Sequence, residues 1–191
     1  MKPVLATFIV AVAIGLLSGG RFSGLSSLRL RWAPLAIVGL GLQFLLPPGN
    51  WPFVLLMISF VMLTVFAVRN LHVPGFTLIL AGLLMNFIVI GVNSGMPVPR
   101  HALEASDQMG ELQYLIDHGG AKHHLATSDD DLMFLADVIP LGSPVRQAIS
   151  AGDIVAYVGV AYVVVAGMRG DRRQRASSGS AAMEPEVAQG G

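Results

Sequence analysis

There is no cysteine anywhere in the chain. That excludes disulfides, thiolate metal centres and cysteine nucleophiles, and it fits a compartment where redox staples are not used. Charge is scarce too: only 13% of the 191 residues are charged, against about 25% in a soluble domain. Twelve acids balance twelve bases, so no basic excess argues for nucleic acid. Lysine is nearly missing. Ten of the twelve bases are arginine, a bias that fits a GC-rich bacterial genome. The chain also lacks a Gly-x-Ser-x-Gly elbow, a P-loop and a dinucleotide-binding fingerprint.

What is abundant is hydrocarbon. Hydrophobic residues make up 53% of the chain, the mean hydropathy is +0.66, and the apolar residues come in long runs. A spanning helix needs about 20 mostly apolar residues. Five stretches approach that: 3–19, 28–46, 51–68, 74–92 and 151–168. In hydrocarbon the backbone must satisfy itself internally, so these runs are expected as helices. The expected fold is therefore all-α, a polytopic membrane bundle of five spans. Trp51-Pro52 opens the third, with tryptophan suited to the headgroup belt and proline to a first helical turn. Small residues within the spans (Ala11, Gly15, Gly39, Gly41, Gly82, Gly91, Ala156 and Gly159) permit close helix packing.

The arginines orient this bundle. Arg21, Arg29, Arg31, Arg69, Arg169, Arg172, Arg173 and Arg175 fall on one side, and Lys2, Arg100, Lys122 and Arg146 on the other. The positive-inside rule then puts the N-terminus outside and the C-terminus in the cytoplasm of a bacterial cell. A second reading treats Lys2, the first apolar run and Ser18-Gly19-Gly20 as a cleaved signal peptide. That would force Arg21, Arg29 and Arg31 across the membrane, and a mature N-terminus at Arg21 would establish it. The tail, 169–191, is expected to be disordered and cytoplasmic, with its arginines near anionic headgroups.

The polar residues concentrate in an outer loop, 93–150, which holds four of the five histidines. Met96-Pro97-Val98-Pro99 forces an extended exit from the fourth span. His101 to His118 reads as one short helix ended by Gly119-Gly120. Ser128 and Asp131 match a capping spacing, and Leu132 to Ile139 reads as a short interfacial or re-entrant helix stopped by Pro140. Ser143-Pro144 is expected to start a further turn. The loop is thus expected to be largely helical and packed over the bundle.

Structural readings account for several polar residues. Asn86 and Asn93 share one face of the fourth span. Asn86 is expected as interhelical glue to a backbone carbonyl, or as part of a polar cavity, and Asn93 as a helix C-cap. Ser150 and Asp153 have the spacing of a capping box. Asp137 stands apart, because an acid inside an apolar run needs a partner or a raised pKa.

Two chemical readings remain open. His118, His123 and His124 with Asp129, Asp130 and Asp131 have the donor chemistry for a divalent metal, without the spacing of a specific signature. No other cofactor is expected. Alternatively Asp137 and Asp153, with or without His124, form an acid pair for hydrolysis at the membrane surface, as paired carboxylates do elsewhere. A transporter component is a third class, disfavoured because no span carries a charge near its middle. The leading expectation is a non-catalytic membrane component that binds lipid, a membrane-protein partner or a second copy of itself.

Asn93-Ser94-Gly95-Met96-Pro97-Val98, then His124, then Leu135-Ala136-Asp137-Val138-Ile139-Pro140, then Ser150-Ala151-Gly152-Asp153 together resemble the DUF5317 family. The resemblance covers about residues 1–168. Ala136 stands where the family pattern has glycine. The resemblance implies a small bacterial multi-span protein, mainly of Gram-positive bacteria, and carries no catalytic role over to this chain.

Overall fold

The computed structural model describes residues 2–26, 28–44, 53–118 and 122–181, without the side chains of Lys2, Phe44, His118 and residues 171–181. The expected features at 45–52 (the end of the second span, Trp51-Pro52), Gly119-Gly120 and 182–191 lie outside the described residues.

Long apolar runs do become helices: α1 (Lys2–Leu17), α3 (Ala33–Phe44), α4 (Phe53–Arg69), α5 (Phe76–Asn93) and α8 (Ala151–Ala181), and a short α2 (Phe22–Ser26) falls between the first two. Two of them are long and apolar enough to cross a membrane. These are Phe76–Asn93, with mean hydropathy 2.1 over 18 residues, and Ala151–Gly170 within α8, with 1.8 over 20. The apolar parts of α1, α3 and α4 are shorter.

Several boundaries differ from the expected ones for local reasons. Residues 28–31 are not helical. Trp32 takes a left-handed φ of 60°, and the Asn70 side chain grips Arg31 from both sides, accepting from its N–H and donating to its carbonyl at 2.8 Å each. Helix α3 starts only at Ala33, with Pro34 in the first turn, where its missing N–H costs nothing. Gly75, at φ 98°, sets the start of α5 after Pro74 rather than at it. At the far end α8 continues to Ala181, so residues 169–181 are helical where a disordered tail is expected. Arg172, Arg173, Gln174, Arg175 and Ala176 are good helix formers and propagate the turn already under way.

Helix α5 packs against α8, α3 against α4, and α1 and α2 against α8. The α5–α8 approach is backbone to backbone. A Cβ on Gly82 would strike the Gly152 carbonyl and come within 2.7 Å of the Ala156 N–H nitrogen. Gly91, by contrast, has nothing within 4 Å and plays no part in packing. Between α3 and α4, Ser59 donates to the Gly39 carbonyl and accepts from Gln43 Nε2, both at 2.8 Å. At one end of the bundle Arg69 stacks 4.6 Å over the Trp32 ring.

The loop over the opposite end is only partly helical, which corrects the all-α expectation. It contains α6 (Arg100–Ala105), α7 (Met109–His118) and two small sheets: β1 (Met96–Val98) with β2 (His123–Leu125), parallel, and β3 (Ile139–Leu141) with β4 (Gln147–Ile149), antiparallel. The single helix expected over residues 101–118 breaks at Ser106-Asp107. Ser106 Oγ donates back to the Ala102 carbonyl at 2.7 Å, and Asp107 turns to a positive φ of 59°; such local bonds compete with helix continuation. Residues 132–139 form one 3₁₀ turn, Met133–Leu135, and then enter β3, because Leu132 at φ 55° and the pull of β4 leave no room for a helix. No α-helix starts at Ser128, which lies in a turn. Ser143-Pro144 is a cis peptide in the β3–β4 turn rather than a helix start.

Candidate functional site

The strand β1 organises the site. The Met96 N–H donates to the Lys122 carbonyl at 2.8 Å, and the Ala126 N–H donates to the Val98 carbonyl at 3.0 Å. On the other side the Pro97 carbonyl accepts from the Asp137 N–H at 3.2 Å. Pro97 is fully buried, so a three-residue strand fixes both Lys122-His123 and Asp137. The Asn93 side chain clasps the neighbouring turn. It accepts from the Asp131 N–H at 2.8 Å and donates to the Asp131 carbonyl at 2.9 Å. The cap of α5 is instead Ser94, at φ 56°. Asn93 is therefore a loop clasp, not the expected C-cap.

Ser150 and Asp153 form the reciprocal capping box, with the Asp153 N–H on Ser150 Oγ at 2.9 Å and the Ser150 N–H on Asp153 Oδ2 at 3.3 Å. Asn86 completes it from α5. Its Nδ2 donates to Asp153 Oδ1 and its Oδ1 accepts from Ser150 Oγ, both at 2.8 Å. Asn86 is thus bound to two side chains rather than to a backbone carbonyl.

The histidines and aspartates of the loop separate into two pairs. His123 and His124 are neighbours on a strand and therefore point to opposite faces. His124 Nε2 lies 2.7 Å from Asp130. Desolvation opposes the Asp130 charge, but the Thr127 N–H and His124 outweigh it and hold the carboxyl below its ordinary range. His123 Nε2 lies 3.5 Å from Asp137 Oδ2, at the outer limit of a hydrogen bond. Asp129 and Asp131 are exposed. Among the described residues, no three His, Asp or Glu side chains are grouped to hold a metal.

Asp137 is buried, 5% exposed, and its Oδ1 has no hydrogen-bond partner among the described residues. Burial, helped by the Asp153 charge and opposed by Lys122, pushes its pKa well above the usual carboxylate range. Burial also lowers His123 to about 3, with Lys122 and His124 adding to the effect, although a third of its side chain is accessible onto the cavities described next. Burial therefore disfavours charge on both members of the pair. Burial likewise lowers the Lys122 ammonium, against the pull of Asp137, Asp153 and Glu111.

These groups close one end of a cavity of about 370 Å³. Leu40, Phe60, Leu63, Ile79 and Val160 are among its apolar walls, and Lys122, His123, Asp137, Gln147, Asp153 and Tyr157 gather at its polar part. A second cavity, about 180 Å³, lies in the cap between Val98, Leu103, Glu111 and Leu115, and shares His123, Asp137 and Gln147 with the first. Asp137 and Asp153, named from sequence, line the larger cavity together; His124 does not. Met96 and Asn86 also line it, while Pro97 and Ser150 support it from behind. Sequence reasoning missed Lys122, Gln147 and Tyr157 and gave His123 only a metal role. The signal for Lys122 was its type: past Lys2 it is the one lysine among arginines.

The class defined by these features is a bundle of apolar helices capped by a mixed α/β loop, with a two-ended cavity beneath the cap. The chain belongs to the DUF5317 family, a family of unknown function, whose match spans residues 27–165. That match takes in α3 to α7, the whole cap and the first half of α8, and leaves out α1 and α2, narrower than the span suggested by sequence. The chain is also 30% identical over 156 residues to an uncharacterized protein of Thermotoga maritima, covering 80% of this chain and 84% of that protein. No solved structure matches the chain.

Proposed function

We propose that this is an integral protein of the bacterial plasma membrane, with five spans and the N-terminus outside, and that its larger cavity holds a membrane amphiphile. The observation that carries the reading is the cavity itself, with hydrocarbon walls between helices and a cluster of polar side chains under the cap. The outward faces of the shorter helices support membrane placement. Leu5, Phe8, Ile9, Ile37, Val54 and Val61 are all exposed, a surface that soluble proteins rarely tolerate. Val4 of α1 and Ala36 of α3 both line the cavity, yet α1 and α3 share no substantial packing face among the described residues. The seam between them is a side entrance from the bilayer. The packing of Gly15 and Met168 supports retention of α1 rather than its removal as a signal peptide.

The test is native mass spectrometry of the protein purified in mild detergent. A co-purifying lipid of about one per chain is expected, and Ala36→Phe, which fills the cavity from α3, should remove it. A protein that carries no lipid and is indifferent to Ala36→Phe would refute the reading. The acid-pair hydrolase stands second, on the one observation that Asp137 and Asp153 line the same cavity. Folded Asp137→Asn and Asp153→Asn proteins that both complement a deletion would end it.

A further inference from the structure

The polar part of the larger cavity has more acceptors than it uses. Asp153 is committed: Asn86 Nδ2 and the Ser150 N–H hold its oxygens. Asp137 is not. One oxygen sits 3.5 Å from His123, and the other has no partner among the described residues although the side chain is buried. An unsatisfied buried acceptor is costly, and the cost is relieved by any donor that reaches it. Lys122, the one basic side chain besides histidine lining this cavity, makes no ion pair within 4.0 Å among the described residues. Two carboxyls thus face one ammonium in the cavity.

We propose that Asp137 is the headgroup-binding residue of the cavity, and that the amphiphile it takes carries an ammonium group. The inference rests on the amphiphile reading given above and adds the chemistry of the head. The geometry explains the choice. The hydrocarbon chain lies against Leu40, Phe60 and Leu63, and the head is carried up to Asp137 and Asp153. An ammonium donates to the Asp137 carboxylate and offsets the excess of carboxyls. A hydroxyl donates without offsetting the charge. A phosphate meets two carboxyls and finds only Lys122 in its favour.

The experiment uses the full chain in nonionic detergent and three probes of one chain length: hexadecylamine, hexadecanol and hexadecyl phosphate. Dissociation constants are read by native mass spectrometry. The amine is expected to bind at least about tenfold more tightly than the other two, the worth of one charge-assisted hydrogen bond. Asp137→Asn should erase that preference while leaving hexadecanol binding within about twofold. Ala36→Phe should weaken all three. Equal affinities for the three probes, or a preference for the phosphate, overturn the headgroup inference while leaving the amphiphile reading intact. Indifference of all three probes to Ala36→Phe means they do not enter the cavity, and both fall. The order of affinities in the unmutated protein decides the headgroup question even if Asp137→Asn does not fold.

Discussion

Asp137 and His123 should shape the pH dependence of stability in opposite directions. Folding raises the Asp137 pKa above 3.8, so between that value and the folded one the native state holds a proton the unfolded chain has released. Stability therefore falls as pH rises through this window. Folding lowers His123 from 6.5 to about 3, so its contribution is present above 6.5 and is lost as pH falls toward 3. Asp137→Asn should flatten the decline on the alkaline side and raise stability at pH 7. Thermal melts in detergent from pH 4 to 8 measure it. An unchanged slope above pH 5 would show that Asp137 is already solvated. The sequence marked this residue, because an acid within Leu135-Ala136-Asp137-Val138-Ile139 is conspicuous. It could not supply Lys122 and His123, which reach Asp137 only through the pairing of β1 with β2.

The elements follow the same division. Apolar run and length are strong signals for α4, α5 and the apolar part of α8, and these helices lie within a few residues of where the runs put them. The loop is different, since short apolar segments fit either a helix or a strand, and partners decided: the Pro97 carbonyl and β4 drew 136–141 into extended backbone. Glycines in the spans were legible only as a class. Gly82 and Gly91 occupy the same helix, yet one touches the α8 backbone and the other touches nothing. Gly82→Leu should destabilise the protein by about 3 kcal/mol, at the upper end for overpacking. Gly91→Ala should be neutral or add about 0.5–1 kcal/mol, because it removes glycine from a helix. Chemical denaturation of the two variants separates them, and equal losses would refute the backbone contact between α5 and α8.

At the scale of the whole molecule, the proposed topology is directly testable because the chain has no cysteine of its own. In intact cells a membrane-impermeant maleimide should label Asp129→Cys in the cap, and should label Ser177→Cys only after the membrane is opened. Labelling of both, or the reverse pattern, would overturn the orientation. The contact of Trp32 with Arg69 and the grip of Asn70 on Arg31 fit the arginine count, since they bring the two arginine-bearing turns together at the end of the bundle away from the cap.

The sequence by itself determined that the chain is a helical bundle of apolar segments with its polar chemistry collected after α5. Those properties are local: they follow from side-chain solvation and from hydrogen bonds within one helix. It also determined the Ser150–Asp153 capping box, whose partners lie three residues apart. Only the tertiary structure decided which polar residues meet. Asn86 joins Asp153 across 67 positions and Asn93 clasps Asp131 across 38, while Lys122, His123 and Asp137 converge on one cavity. Contacts of that kind depend on strand register and helix approach, which periodicity along the chain does not encode.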